Sequence, residues 1–170
     1  SKLSFIESIR SFPLNIETKH IKTYKSSDSR NGQISMVLNN SMVLLPKEPM
    51  KRRYFDQRVG WITNSQMDFG IDNQEAETVR FLQRWRLEVK DEDLEKFKNG
   101  KLVEPKKPIV YYIDPATPMK WRKYLKQGVE DWNVAFEAAG FKNAVICKDP
   151  PSKEEDPEWS PEDVRYSVIR

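Results

Sequence analysis

Histidine and cysteine are almost missing from this sequence, which has a single His20 and a single Cys147 in 170 residues. Zinc sites draw three or four protein ligands, mostly from these two residue types. One of each excludes a multi-cysteine metal site and any internal disulfide framework. His20 lies in Lys19-His20-Ile21 with neither a carboxylate nor a cysteine beside it, and reads as a strand surface residue rather than a ligand. Cys147 closes the apolar run Ala144-Val145-Ile146-Cys147 and reads as a buried small hydrophobe. Also absent is any run near the ~18 apolar residues of a membrane helix, so no membrane span is expected. The opening Ser-Lys-Leu-Ser-Phe-Ile lacks the charged and long apolar regions of a secretion signal, which leaves the compartment open. Internal repeats and low-complexity tracts are missing too.

What is present is a polar but foldable composition, 38% hydrophobic and 32% charged. The net charge of +3 is too mild to argue for nucleic acid. Its distribution is uneven: the segment Lys47–Arg58 holds five basic residues against two acidic, and Asp149–Asp163 holds seven acidic against one basic. Such surfaces suit docking between domains as well as any outside ligand. Lys51-Arg52-Arg53-Tyr54-Phe55 interleaves cations with rings, the pairing that phosphates and bases favour. No nucleic-acid module accompanies it, so nucleic acid is not an expected partner. The carboxylates between Glu154 and Asp163 lack the glycine and oxygen spacing of a calcium loop and read as a solvated loop.

Along the chain, the first hundred residues read mostly as strands. Asn15–Tyr24 is followed by a turn-forming Ser26–Gly32, then Gln33–Leu45 closed by Pro46, a short candidate at Val59–Thr63, and an irregular stretch over Thr78–Val89. Asp91–Asn99 reads as a short helix with Gly100 as its stop. The polar Lys101–Lys107 marks a boundary, after which the pattern becomes strand (Ile109–Ile113), long helix and strand (Lys142–Lys148), with another strand at Tyr166–Ile169. The helix is expected to start with Thr117 as cap and Pro118 in its first turn, and to end at Ala139 before Gly140. Leu125, Val129, Trp132, Ala135, Phe136 and Ala139 fall on one helical face. The expected class is α+β, with residues 1–104 as a β-rich domain and 105–170 as the opening strand–helix–strand of a second one. Cutting a sheet between strands would leave an unpaired edge, so an edge-paired homodimer is expected.

The words IVYYIDPATP, WRKYLKQGVEDWNVAFEAAGFKNAV and DPEWSPEDVRYSVIR, within Ile109–Arg170, resemble a family of large bacterial zinc-dependent metalloproteases. That family has a metzincin-like catalytic region behind an N-terminal domain of unknown function. Upstream, Pro49, Arg53, Asp56, Arg58, Val59 and Gly60 match the family's Pro-x-x-x-Arg-x-x-Asp-x-Arg-Val-Gly pattern, and the likeness runs from about Ile34 to the end. The family's His-Glu-x-x-His-x-x-Gly-x-x-His helix has no counterpart here. The resemblance therefore implies that catalytic and zinc-holding residues lie in later sequence, and that this chain contributes none. It implies a non-catalytic N-terminal piece that scaffolds or covers the active site of an exported zinc peptidase. Its partners would be the catalytic half of the same protein and a peptide substrate. Arg53, Asp56 and Arg58 are then a docking cluster or a structural ion-pair network, and Trp132 and Phe136 are scaffold core packed on the sheet. The competing expectation is a stand-alone protein-interaction module without peptidase activity.

Overall fold

The computed structural model describes residues 3–28, 30 and 32–170. Ser29 and Asn31 of the expected turn lie outside the described residues. The fold is α+β, with a β-rich N-terminal part.

Three strands, β1 (Phe5–Ser11), β2 (Asn15–Lys25) and β3 (Gln33–Val43), form an antiparallel meander in chain order. Thr, Ile, Val and Tyr are frequent in β2 and β3, and such residues pack well on a pleated surface. Gly32, at φ 66, takes the left-handed conformation that the turn into β3 needs. Strand register sorts the side chains. Residues paired directly share a face, so Ile6, Ile9, Ile16, His20, Met36, Leu38 and Met42 lie on one side of the meander. Asn15, Glu17, Asn39 and Ser41 lie on the other. The apolar side is uncovered: Ile6, Ile9 and Met42 are all more than half exposed.

A hairpin of β4 (Thr63–Asp68) and β5 (Glu77–Leu82) follows. The segment before it docks on the far edge of β5, where the Phe55 N–H donates to the Arg80 carbonyl at 3.0 Å and the Leu82 N–H to the Arg53 carbonyl at 2.8 Å. The expected strand at Val59–Thr63 is displaced onto Thr63–Asp68. The Val59 N–H instead closes a turn on the Asp56 carbonyl, and the Trp61 indole donates to the Gln83 carbonyl.

Residues 109–170 form a parallel sheet with β6 (Ile109–Ile113) between β7 (Val145–Lys148) and β8 (Ser167–Ile169). A short helix α1 (Leu94–Lys98) precedes it and ends at Gly100, φ 73, as its acid-first, lysine-last pattern predicts. Between β6 and β7 the chain is helical in two pieces, α2 (Met119–Glu130) and α3 (Asn133–Ala138). The single long helix expected from the periodicity breaks at Asp131-Trp132. Pro118 is the cap rather than Thr117, whose N–H turns back to the Asp114 carbonyl.

Among the described residues, every buried hydrophobic lies between Val103 and Cys147. Val103, Phe141 and Ala144 form a cluster onto which Leu87, Val89, Phe97 and Phe136 pack. The connection from Leu87 to Val103 therefore belongs by packing to the α/β half, upstream of the boundary at 104 that composition suggested. The acidic loop is more than a solvated loop. Its Trp159 and the following Tyr166 stack around Tyr112 of β6, with ring centroids 5.9 and 5.4 Å away, while Glu154, Glu155 and Glu158 remain exposed.

Candidate functional site

An apolar concave surface lies between the helices and the parallel sheet. Ile109, Tyr111, Val145 and Ile169 form its floor, and Val129 and Trp132 rise from α2 and the break after it, around a space of about 510 Å³. Side chains alternate along a strand, so Ile109 and Tyr111 face the helices while Tyr112 faces the acidic loop. Trp85 arrives from the hairpin connection and meets the Tyr111 ring edge-on at 5.7 Å. Gly128 deepens the hollow, since a Cβ there would meet nothing within 4 Å.

The walls are held in place by hydrogen bonds. Asn133, first residue of α3, donates from Nδ2 to the Val145 carbonyl at 2.9 Å and accepts the Val145 N–H at 3.1 Å. Glu130 accepts the Cys147 N–H at 3.2 Å. Together they cap the outer edge of β7, which blunts one open edge of the sheet. Cys147 itself is 5% exposed, and burial, followed by the nearby Glu130 charge, raises its thiol pKa.

Trp132 corrects the sequence expectation. It is 66% exposed and stands on the rim of the hollow instead of in a core. Phe136 is half-buried and contributes to the Val103 cluster. The predicted trio of Arg53, Asp56 and Arg58 is not a buried network. Arg58 grips Asp56 two residues away, from Nε at 2.9 Å and from Nη2 at 2.5 Å, and the Arg58 side chain is 87% exposed. That pair lowers the Asp56 pKa, mainly through the side-chain bond. Arg53 does not join it; Arg53 lines a separate groove with Lys51, Arg52 and Arg84. Nothing in the spacing of Arg53 pointed to Arg84, which arrives through strand pairing.

The hollow is lined by rings and aliphatic groups, with Tyr111 as its one hydroxyl-bearing side chain. Among the described residues no three His, Cys, Asp or Glu side chains come together to hold a metal. His20 sits on the N-terminal meander, its Nε2 3.1 Å from the Thr18 hydroxyl.

A second polar cluster ties the two halves together. Glu17, 7% exposed, accepts hydrogen bonds from Asn15 at 2.6 Å, from Asn39 at 2.7 Å and from the Ser41 hydroxyl. These donors, Ser41 first, hold its pKa below the usual value. Asn15 reaches on to the acidic loop, where Asp163, 1% exposed, is clasped by Arg165 through Nε and Nη2.

No curated protein and no solved structure matches this chain. The family model for the domain of unknown function DUF5117 matches residues 1–90, more than half of the sequence, and the protein belongs to that family.

Proposed function

We propose that this chain is a non-catalytic part of a zinc-dependent metallopeptidase, acting outside the cytoplasm, that scaffolds or covers an active site built from later sequence. The observation that carries this reading is the amount of surface left open. The chain exposes 13799 Å², whereas a compact protein of 20.1 kDa exposes about 8,700 Å². The difference of about 5,000 Å² per chain exceeds what one partner contributes even to a large obligate dimer interface. It is the surface expected of a body completed by further structure. The resemblance of Ile109–Arg170 to the entry of a metzincin-like domain supports a peptidase domain as that structure, with zinc and a peptide substrate. The exposed Trp132 and the hollow beside it would then receive the added elements.

The test compares the 170-residue chain with the complete product of its open reading frame. The longer protein should carry a His-Glu-x-x-His helix, bind zinc stoichiometrically and cleave unfolded protein substrates, whereas this chain should do neither. A reading frame without such a helix, or stoichiometric sub-micromolar zinc binding by this chain, overturns the proposal.

A second reading, a stand-alone protein-interaction module, is favoured by one observation. The meander presents Ile6, Ile9, Ile16, Met36 and Met42 on one exposed face, and among the described residues no strand pairs with the outer side of β3. A second copy paired along β3 would satisfy that edge.

A further inference from the structure

We propose that the groove between residues 49–53 and the β4–β5 hairpin is an anion site that takes the carboxylates of an acidic peptide segment. Its lining brings together Lys51, Arg52, Arg53 and Arg84 and includes no carboxylate, around a space of about 380 Å³. Arg84 is fixed in the lining by its Nη2, which donates to the Lys51 carbonyl at 3.0 Å. Lys51, Arg52 and Arg53 are exposed beside it, and like charges gathered without a counter-ion repel one another and favour an anion between them.

The cations are held on a fixed frame. Arg86 Nη1 donates to the Glu48 carbonyl at 3.0 Å at one end of the segment, Arg84 holds its middle, and the Arg53 carbonyl pairs with β5 at the other end. A preformed arrangement loses little conformational entropy on binding. Arg52 lies over the Phe81 ring, 5.1 Å from its centroid. Among the described residues, Lys51, Arg52 and Arg53 have no acidic partner, in contrast to the paired Arg58, Arg86 and Arg165.

Two features favour peptide over nucleic acid. The amides of Asn64 and Gln66 line the groove, and Gln83 Nε2 donates to Asn64 Oδ1, which leaves the Asn64 amine as a donor for an acceptor such as a peptide carbonyl. The one ring on the lining, Phe81, is already taken by Arg52, so no free platform is left for a base to stack upon.

A labelled, blocked oligoglutamate peptide titrated into the chain tests this, with a single-stranded oligothymidylate of equal length as the rival ligand. The peptide should bind saturably, more weakly as salt rises. Arg53→Gln and Lys51→Gln should each weaken it roughly tenfold, as expected for a lost charge-assisted hydrogen bond. Among the described residues their side chains bond to no other residue, so both variants should keep the wild-type circular dichroism; Arg84→Gln, which also releases the Lys51 carbonyl, is the less clean third variant. Lys120→Gln on α2 should leave binding unchanged. The proposal fails if the peptide does not saturate, if Lys120→Gln weakens it as much as Arg53→Gln does, or if oligothymidylate binds as tightly.

Discussion

Asn15 and Val164 are joined through a side-chain amide used at both ends. The Val164 N–H donates to Asn15 Oδ1 at 3.0 Å, while Asn15 Nδ2 donates to the Glu162 carbonyl at 2.9 Å and to Glu17 at 2.6 Å. Asn15 is 3% exposed, and its bond to Glu17 is buried. A salt bridge from Arg10 to Glu162 at 2.8 Å runs alongside on the surface, where such pairs contribute little. The amide is therefore the joint between the DUF5117 meander and the acidic loop.

Replacing Asn15 with Ala should cost about 1–3 kcal/mol in urea unfolding, because it strands a buried N–H and a carbonyl. Asn15→Asp should be worse at neutral pH, since a second carboxylate would face Glu17, and its deficit should shrink in acid. An Arg10→Ala variant, by comparison, should lose less than about 1 kcal/mol.

Acid should loosen the same joint. Glu17 and Asp163 both have folded-state pKa values below their ordinary ones, Glu17 through Ser41 first and Asp163 through Arg165 first. A depressed carboxylate contributes stability that is present above its unfolded pKa and fades as pH falls through the folded value. Stability should thus be flat near neutrality and decline below roughly pH 4.5. Glu17→Gln should flatten that decline, measured by denaturant midpoints across the acid range.

Gly140→Ala should destabilise the α/β half by about 1–3 kcal/mol. The residue has φ 94, and an added Cβ would come within 2.5 Å of the Phe97 ring, which packs against Phe141 with centroids 5.4 Å apart. Gly60→Ala is the control. Its Cβ would meet nothing within 4 Å and its φ is not positive, so its melting temperature should be unchanged or slightly higher.

Cys147 should resist thiol reagents in the native chain and react only on unfolding. Burial both hides the sulfur and raises its pKa, which suppresses the reactive thiolate. Rapid labelling at neutral pH without denaturant would contradict the packing described for β7.

Trp132→Ala should change the stability of this chain by less than about 1 kcal/mol, as for most exposed positions. Full burial would have made the same change cost about 3–5 kcal/mol. If the open hollow is filled in the complete protein, the larger penalty should appear there and not here, read as two melting curves of the paired variants.

The chain's local signals and its paired structure diverge at identifiable residues. β2, β3, β6 and α1 were legible because their side chains repeat with the right period and end at Gly or Pro. The sequence reading put no strand at β1, and its Phe5 and Ile9 earn their place only by pairing with Ile21 and Thr18. Thr63–Asp68 looks polar and became a strand because β5 lies opposite, while the more apolar Val59–Ile62 did not. The helical repeat through Trp132 continued across a break that periodicity does not detect. Lys51-Arg52-Arg53 stood out as a cationic run, but Arg84 lies 33 residues from Lys51 and joins it only after the segment docks on β5.

The reach of Asn15 has a consequence for synthesis. Its carbonyl partner, Glu162, lies 147 residues later, and translation proceeds at roughly 5–20 residues per second. The meander ends at Val43, so its synthesis is finished roughly 6–24 s before its anchor has been made. Throughout that interval Asn15, nearly buried in the finished chain, waits without the carbonyl and the N–H that close around its amide.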